Sequence, residues 1–320
     1  MNVQVSIQKR KSAVLTPSQL PCLADVPSAN LTLGCAHGCV YCYGRSYSLF
    51  PGEGRVVVYA DTADRLSAEL GRKRRKPTHV YFSPSTDVFQ PVDEVLEMAY
   101  RMFATLLGQG VGIAFVTKGR IPERHMELVC AHPEFVQAQI GVITPDEALA
   151  RRLEPNAAPP ALRFEQMRRL IHAGVKTRMR VAPIIPGLTD ADETLDALFG
   201  HAASAGVAHA TINALHLRPA IVTSFRKHLD PHEAETVLSR YVGAHCVRVC
   251  GDKSKQTPLA GDARVSLFER ARRIAKRDGI QAHVCGCMNP DLTNERCALA
   301  GDWPPQRSDC GQMTFLSAEG

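Results

Sequence analysis

The sequence predicts an α/β fold, a partial (β/α)6 TIM-type barrel followed by a small cysteine-rich C-terminal region. Between residues 30 and 230 short β-rich runs alternate with longer helical patterns, which is how βα units around a parallel sheet read. Several of the runs are apolar throughout, as strands covered on both faces must be. The strands number about six, each followed by a helical pattern, and a full eight-fold barrel takes about 250 residues, so the shorter barrel fits.

The elements follow in order. A first strand is expected just before Cys35, then a helix over 62–71 and a strand over 78–83. Residues 92–107 are the clearest helix: Val92, Val95, Leu96, Ala99, Met102, Phe103, Leu106 and Leu107 recur at three- and four-residue steps, with Asp93, Glu94 and Arg101 opposite. Strands at 111–117, 136–143, 175–185 and 208–217 alternate with helices at 121–131, 145–153, 161–173 and 190–205, the last with Thr189 and Asp190 as natural caps. After Leu229 come helices at 231–242 and 263–277, then a tail without periodicity. The chain divides into an N-terminal extension (1–28), a barrel core (29–230) and a C-terminal region (231–320).

A content of 45% hydrophobic and 22% charged residues is that of an ordinary globular protein and excludes disordered and low-complexity classes. No apolar run approaches the roughly 20 residues of a membrane span. The first residues lack the apolar stretch of a signal peptide, so the cytoplasm is the expected compartment. The unusual entry in the composition is 11 cysteines, an odd number with no route to an oxidising compartment. Ligation explains them better than disulfides. They concentrate at Cys35, Cys39 and Cys42 and at Cys285, Cys287, Cys297 and Cys310; Cys22, Cys130, Cys246 and Cys250 are left without a role.

Cys35-Ala-His-Gly-Cys39-Val-Tyr-Cys42 is a C-x3-C-x2-C run in a Gly-containing loop after the first strand. Three thiolates can hold three irons of a [4Fe–4S] cluster and leave the fourth open; a closed zinc site would need a fourth ligand, for which His37 is the near candidate. The run from Asn30 to Arg45, with Gly34 before Cys35 and Tyr43-Gly-Arg45 after Cys42, resembles the signature loop of radical S-adenosylmethionine (SAM) enzymes, and within them the spore photoproduct lyase-like branch. The resemblance continues through Ser85-Thr-Asp-Val-Phe-Gln-Pro91, Thr117-Lys118, Leu153-Glu-Pro155, Arg163, Ala173-Gly174, Arg180-Val-Ala-Pro-Ile-Ile-Pro-Gly187 and Leu217-Arg-Pro219.

This resemblance implies a [4Fe–4S] cluster, SAM bound through its amino and carboxylate groups at the open iron, and an external one-electron donor such as flavodoxin or ferredoxin. It implies that Tyr41 sets its ring against the adenine and that Ser85, Thr86 and Asp87 meet the SAM ammonium. It further points to Thr117 and Lys118 after the third strand, Thr144 after the fourth, and Arg180 for the SAM carboxylate. Each has a plainer alternative: Thr144 and Asp87 as helix caps, Arg180 as a structural ion-pair partner.

Cys285, Cys287, Cys297 and Cys310 could hold an auxiliary iron–sulfur cluster or a zinc ion, or be unligated core thiols. The chain departs from spore photoproduct lyase at Ser83-Pro84-Ser85, where the lyase keeps a cysteine hydrogen donor. A small molecule or peptide is therefore the expected substrate. The alternatives are a nucleic-acid repair or modification enzyme and a non-catalytic iron–sulfur or zinc protein. Net charge is +6, and its densest run, Arg72-Lys73-Arg74-Arg75-Lys76, falls before the second strand, at the barrel end opposite the cysteine loop. A second basic stretch, Arg270, Arg272, Arg273, Lys276 and Arg277, lies on one helix and reads as an acidic-substrate contact or an amphipathic surface.

Overall fold

The computed structural model describes residues 3–18, 23–24, 26–248, 255–295 and 303; Cys22, Cys250, Cys297 and Cys310 lie outside them. The strands are β1 (Gln4–Gln8), β2 (Thr16–Pro17), β3 (Pro27–Ala29), β4 (Thr32–Leu33), β5 (Arg55–Tyr59), β6 (His79–Phe82), β7 (Gly112–Thr117), β8 (Val136–Gly141), β9 (Lys176–Ile184), β10 (His209–Ala214), β11 (Val247–Arg248), β12 (Lys255–Gln256) and β13 (Gln281–Val284). The helices are α1 (Thr62–Gly71), α2 (Asp93–Gly108), α3 (Glu123–Cys130), α4 (Glu147–Leu153), α5 (Pro160–His172), α6 (Asp192–Ser204), α7 (Pro219–His228), α8 (Pro231–Ser239) and α9 (Gly261–Arg277).

The main sheet runs β13-β10-β9-β8-β7-β6-β3-β2 and is parallel from β3 through β13, with β2 antiparallel at its edge. The sheet is open, as a partial barrel requires. Its helix-covered face carries Val80, Phe82, Ile113, Phe115, Ile140, Met179 and Ile212, all buried. Onto them α2 lays Val95, Ala99, Met102, Phe103 and Leu106. At about 25 cal/mol per Å² this apolar burial is the main force holding helices to sheet.

Three features depart from the sequence reading. The residues next to Cys35 do not enter the barrel: Gly34, at φ +76°, turns the chain so that β4 pairs antiparallel with β5, and the first barrel strand is β3, farther upstream. Any Cβ at Gly34 would collide with the Arg55 carbonyl, so the turn needs glycine. The expected caps at 189 and 190 do not cap α6, whose N-cap is Ala191. Thr189 and Asp190 instead accept the Ile185 and Gly187 N–H groups at 2.8 and 2.7 Å, fixing the preceding turn. Finally, β13 extends the main sheet beside β10; as an edge strand it buries only Val284 fully, too little apolar alternation to be read from sequence.

Trp303, the chain's single tryptophan, stacks on His79 at the start of β6 with ring centres 4.2 Å apart. Its ring lies where a Cβ on Gly112 would be, 2.5 Å away. Gly112→Ala is therefore expected to cost about 1–3 kcal/mol by overpacking. A thermal melt and the emission of Trp303 should report the destabilisation and the displaced ring together.

Among the described residues no helix is long and apolar enough to cross a membrane. The basic run at 72–76 follows α1 and leads into the N-terminal end of β6, with Arg72 to Arg75 exposed. The basic face of α9 is paired: Arg270 and Arg273 with Asp192, Arg277 with Asp196 and Arg272 with Glu295. It is the surface of an amphipathic helix docked on α6.

Candidate functional site

The loop between β4 and a 3-10 turn at Tyr43–Ser46 carries Cys35, Cys39 and Cys42, all unpaired and partly accessible. They flank one cavity of about 400 Å³, shared with Asn30, Ser85, Thr86, Asn156 and the 47–54 segment. The loop is held from three sides. Gln90, fully buried, accepts the Ala36 N–H at 2.9 Å and donates to Thr32. Asn156 donates to the Ala36 carbonyl at 2.7 Å. Arg45 donates to the Cys39 and Gly38 carbonyls at 3.1 and 3.2 Å.

His37 lies inward, 2% exposed, with Nε2 3.1 Å from Asp87 Oδ2 and Nδ1 3.1 Å from the Asn156 carbonyl. Serving as a zinc ligand would break these contacts. Asp87 is equally engaged: Oδ1 accepts the Phe89 N–H and the Thr117 hydroxyl at 2.8 and 2.7 Å, and Oδ2 accepts the Lys118 N–H at 2.8 Å. Burial would raise its pKa, but the His37 charge and these bonds outweigh it and hold the carboxyl below the usual range. Asp87 and Thr117 thus tie the end of β7 to the cysteine loop.

Beneath the loop Tyr41, 6% exposed, donates its hydroxyl to Glu154, which is ion-paired with Arg163 at 2.6 Å in full burial. Arg163 also donates to the Ala158 and Gly141 carbonyls. Lys118 Nζ stands 5.8 Å from the Tyr41 ring centre. Ser85 and Thr86 reach the cavity wall, Ser85 through a backbone N–H bound to Asn30. Thr144 and Arg180 are outside that wall. Thr144 holds the Asp146 N–H at 3.2 Å, and Asp146, not Thr144, caps α4. Arg180 donates to Gln139 at 2.9 Å.

Burial comes first in pushing the Cys35 and Cys39 thiols well up; next, Asp87 acts on Cys35 and Glu154 on Cys39, and neighbouring thiols add to both. Thiols whose ionisation is disfavoured here are the kind that cationic iron would hold as thiolates. Among the described residues no three His, Cys, Asp or Glu side chains converge as a site for a single metal ion. Thiols spread round a cavity suit a multi-iron cluster, and the donor set fits it.

At the rim Glu53 accepts from Arg45, Lys227 and His228, joining the loop to α7. The Lys227 ammonium, against partial burial, and then His228 and Arg45 hold Glu53 down to about 2 from the ordinary 4.5. A depressed carboxyl stabilises the fold above its unfolded pKa and loses that contribution as pH falls through the folded one. The Tm difference between the protein and Glu53→Gln should be full at neutral pH and vanish as pH drops from 4.5 to about 2. Nothing local in the sequence marks Gln90, Asn156 or Glu53, although Gln90 falls within residues 85–91 and Asn156 directly follows Pro155, because their partners are distant in the chain.

Near the C-terminus Cys285 follows β13, buried, and Cys287 is two residues on; Cys297 and Cys310 are outside the described residues. Asn289 clasps the Cys285 carbonyl at 3.0 Å, and Arg264 holds Asn289 and Asp291. Gly286 packs on the Thr293 and Glu295 carbonyls, where a side chain would clash.

An uncharacterized protein of Mycobacterium tuberculosis is 30% identical over 213 residues, 63% of either chain, so this chain spans less than two thirds of that relative. A radical SAM Nalpha-GlyT isomerase of Pseudomonas phage M6 is 23% identical over 78% of this chain and 51% of its own. In fold, spore photoproduct lyase with bound AdoMet and dinucleoside spore photoproduct superposes with a TM-score of 0.67 at 15% identity, over 88% of this chain and 81% of that one. The family model of the radical SAM superfamily matches residues 29–198, from β3 through the greater part of α6. The chain belongs to the radical SAM superfamily.

Proposed function

We propose that this chain is an enzyme that cleaves SAM reductively and acts on a small molecule or peptide, with Cys35, Cys39 and Cys42 as ligands of its [4Fe–4S] cluster. The observation that carries this reading is the three thiols flanking one cavity at the C-terminal end of a parallel sheet, where barrel folds assemble active sites. When bound, cluster and SAM supply carbon–sulfur cleavage by one electron and hence a radical able to take hydrogen from an unreactive C–H position. An external donor such as flavodoxin or ferredoxin provides the electron.

The protein residues bind and orient. Ser85 and Thr86 contribute to the cavity wall, while Tyr41 and Lys118 lie together outside it, with Lys118 Nζ 5.8 Å from the Tyr41 ring centre. Asp87 and Thr117 are positioning residues, fixing the loop through His37 and the Lys118 N–H. Thr144 positions α4 through Asp146, and Arg180 stands in the sheet wall on Gln139. Cys285 and Cys287 would serve a second metal site, an auxiliary iron–sulfur cluster or zinc, whose further expected ligands, Cys297 and Cys310, lie outside the described residues.

The small-substrate reading is supported at the end of β6. Ser83, buried and at φ 51°, stands there without a thiol to return hydrogen to a substrate radical in the lyase's manner. Anaerobically reconstituted protein given dithionite and SAM should release 5'-deoxyadenosine or methylthioadenosine. Release of neither, with no SAM-perturbed cluster signal in electron paramagnetic resonance, overturns the enzymatic reading. Tight retention on heparin or DNA at moderate salt would instead favour a nucleic-acid substrate, since phosphate-dominated binding weakens steeply as salt rises.

A further inference from the structure

Strand β1 (Gln4–Gln8) is the outer strand of the three-stranded sheet β1-β5-β4, and all five of its residues are exposed. It runs parallel to β5. The Gln4 N–H donates to the Gly54 carbonyl at 2.7 Å, and the Gln8 carbonyl accepts the Ala60 N–H at 3.1 Å. In a parallel ladder every second residue bonds the same neighbour. Gln4, Ser6 and Gln8 therefore serve β5, while Val5 and Ile7 turn their N–H and C=O groups to the open edge. Among the described residues no strand covers that edge.

Open edges are ordinarily blunted by a charge, a proline or a bulge. Gln4-Val-Ser-Ile-Gln8 has none of these, and shows Val5 at 36% and Ile7 at 60% exposure. The run is also symmetric in pattern about Ser6. Laid antiparallel on a second copy of itself, it pairs Gln4 with Gln8, Val5 with Ile7 and Ser6 with Ser6. In that register the outward groups of Val5 meet those of Ile7 from the second copy, twice over. The two hydrogen-bonded pairs flank a Ser6–Ser6 pair on the twofold axis, where the strands approach most closely. The two Val5 and two Ile7 side chains share one face, in register with Val56 and Val58 of each β5. Lys9 follows the strand. Antiparallel pairing carries the two Lys9 ammonium groups to opposite ends of the ribbon, whereas parallel pairing would set like charge against like charge.

We propose that this edge joins two copies of the chain through an antiparallel β1 ribbon centred on Ser6, making one six-stranded sheet. An isologous contact uses the same patch twice, which a strand of symmetric pattern provides. The contact adjoins the candidate site. Val3 lines the cavity beside the three cysteines, and Gly54, bonded to Gln4, belongs to the same wall. The paired β1 strands thus brace one wall of each cavity. The contact stands independently of the chemistry proposed above.

Sedimentation equilibrium of the cluster-loaded 320-residue chain at rising concentration should reach twice the chain mass. Ile7→Pro should return it to a single chain mass, because proline removes an N–H that β5 does not use. Ile7→Lys keeps every backbone group but sets a charge in the apolar pair. It should dissociate the copies too, and it takes the place of the proline variant should that fail to fold. Ser6→Cys reads the register. Across the axis the two Cα atoms stand about 4.5 Å apart, within disulfide reach. Mild oxidation should therefore link two chains through position 6, as mass spectrometry of the joined peptide would show. Gln4→Cys should stay unlinked to its own copy, which lies four residues along the ribbon. The proposal is overturned if the protein keeps a single chain mass throughout, which would leave the edge to a strand of another protein. It is equally overturned if a folded Ile7 variant keeps the double mass, or if Gln4→Cys links as readily as Ser6→Cys.

Discussion

Cys39→Ala is expected to yield a folded protein with depleted iron and SAM cleavage at the rate seen without enzyme. The side chain is partly accessible at the edge of the core, so its removal costs at most about 1 kcal/mol in stability. Its chemical role has no substitute, because no other described thiol lines the cavity beyond Cys35 and Cys42. Iron and sulfide analysis, read beside deoxyadenosine release, checks this. Cys130→Ala, on α3 and outside the cavity wall, should keep both iron and cleavage. If Cys39→Ala retained full iron at this site, the ligand assignment would be wrong.

Arg163→Met should have the largest effect on stability. Both charged groups of the Arg163–Glu154 pair are removed from water, with side chains 1% and 0% exposed. Removing one leaves the other buried and uncompensated, at a cost of about 3–5 kcal/mol. The urea midpoint should fall accordingly. Replacing both as Glu154→Leu and Arg163→Met should recover part of the loss, since the net worth of a buried pair is small. Recovery stays incomplete because the Ala158 and Gly141 carbonyls lose their donor. Tyr41 rests on Glu154, so the single variant should also bind iron less firmly than Arg168→Gln, an exposed control on the same helix as Arg163.

How much of this could be read in advance depended on how local each feature is. The α2 stripe was legible because seven buried residues repeat at helical spacing within one element. The cysteine spacing was legible for the same reason: its members lie in eight consecutive residues. The roles of Asp87, Thr117 and His37 were not, because their partners come from separate loops and are fixed only once β6 and β7 pair. Nor was the displacement of the first barrel strand to β3, which follows from a single left-handed glycine. The α6 caps failed because Thr189 and Asp190 found closer donors in the turn before the helix.

The sequence by itself determined the repeating βα order, the three-cysteine loop and its place near the first strand, since periodicity and spacing survive any folding. Only the tertiary structure decided that Asp87 turns inward as a clamp, that Arg163 and Glu154 support the loop from below, and that Gln139, Arg178, Arg180 and Thr211 share one face of the sheet. Those are questions of which distant side chains share a buried volume. Burial makes each polar group find a partner, and the partner found is the one that packing brings within reach.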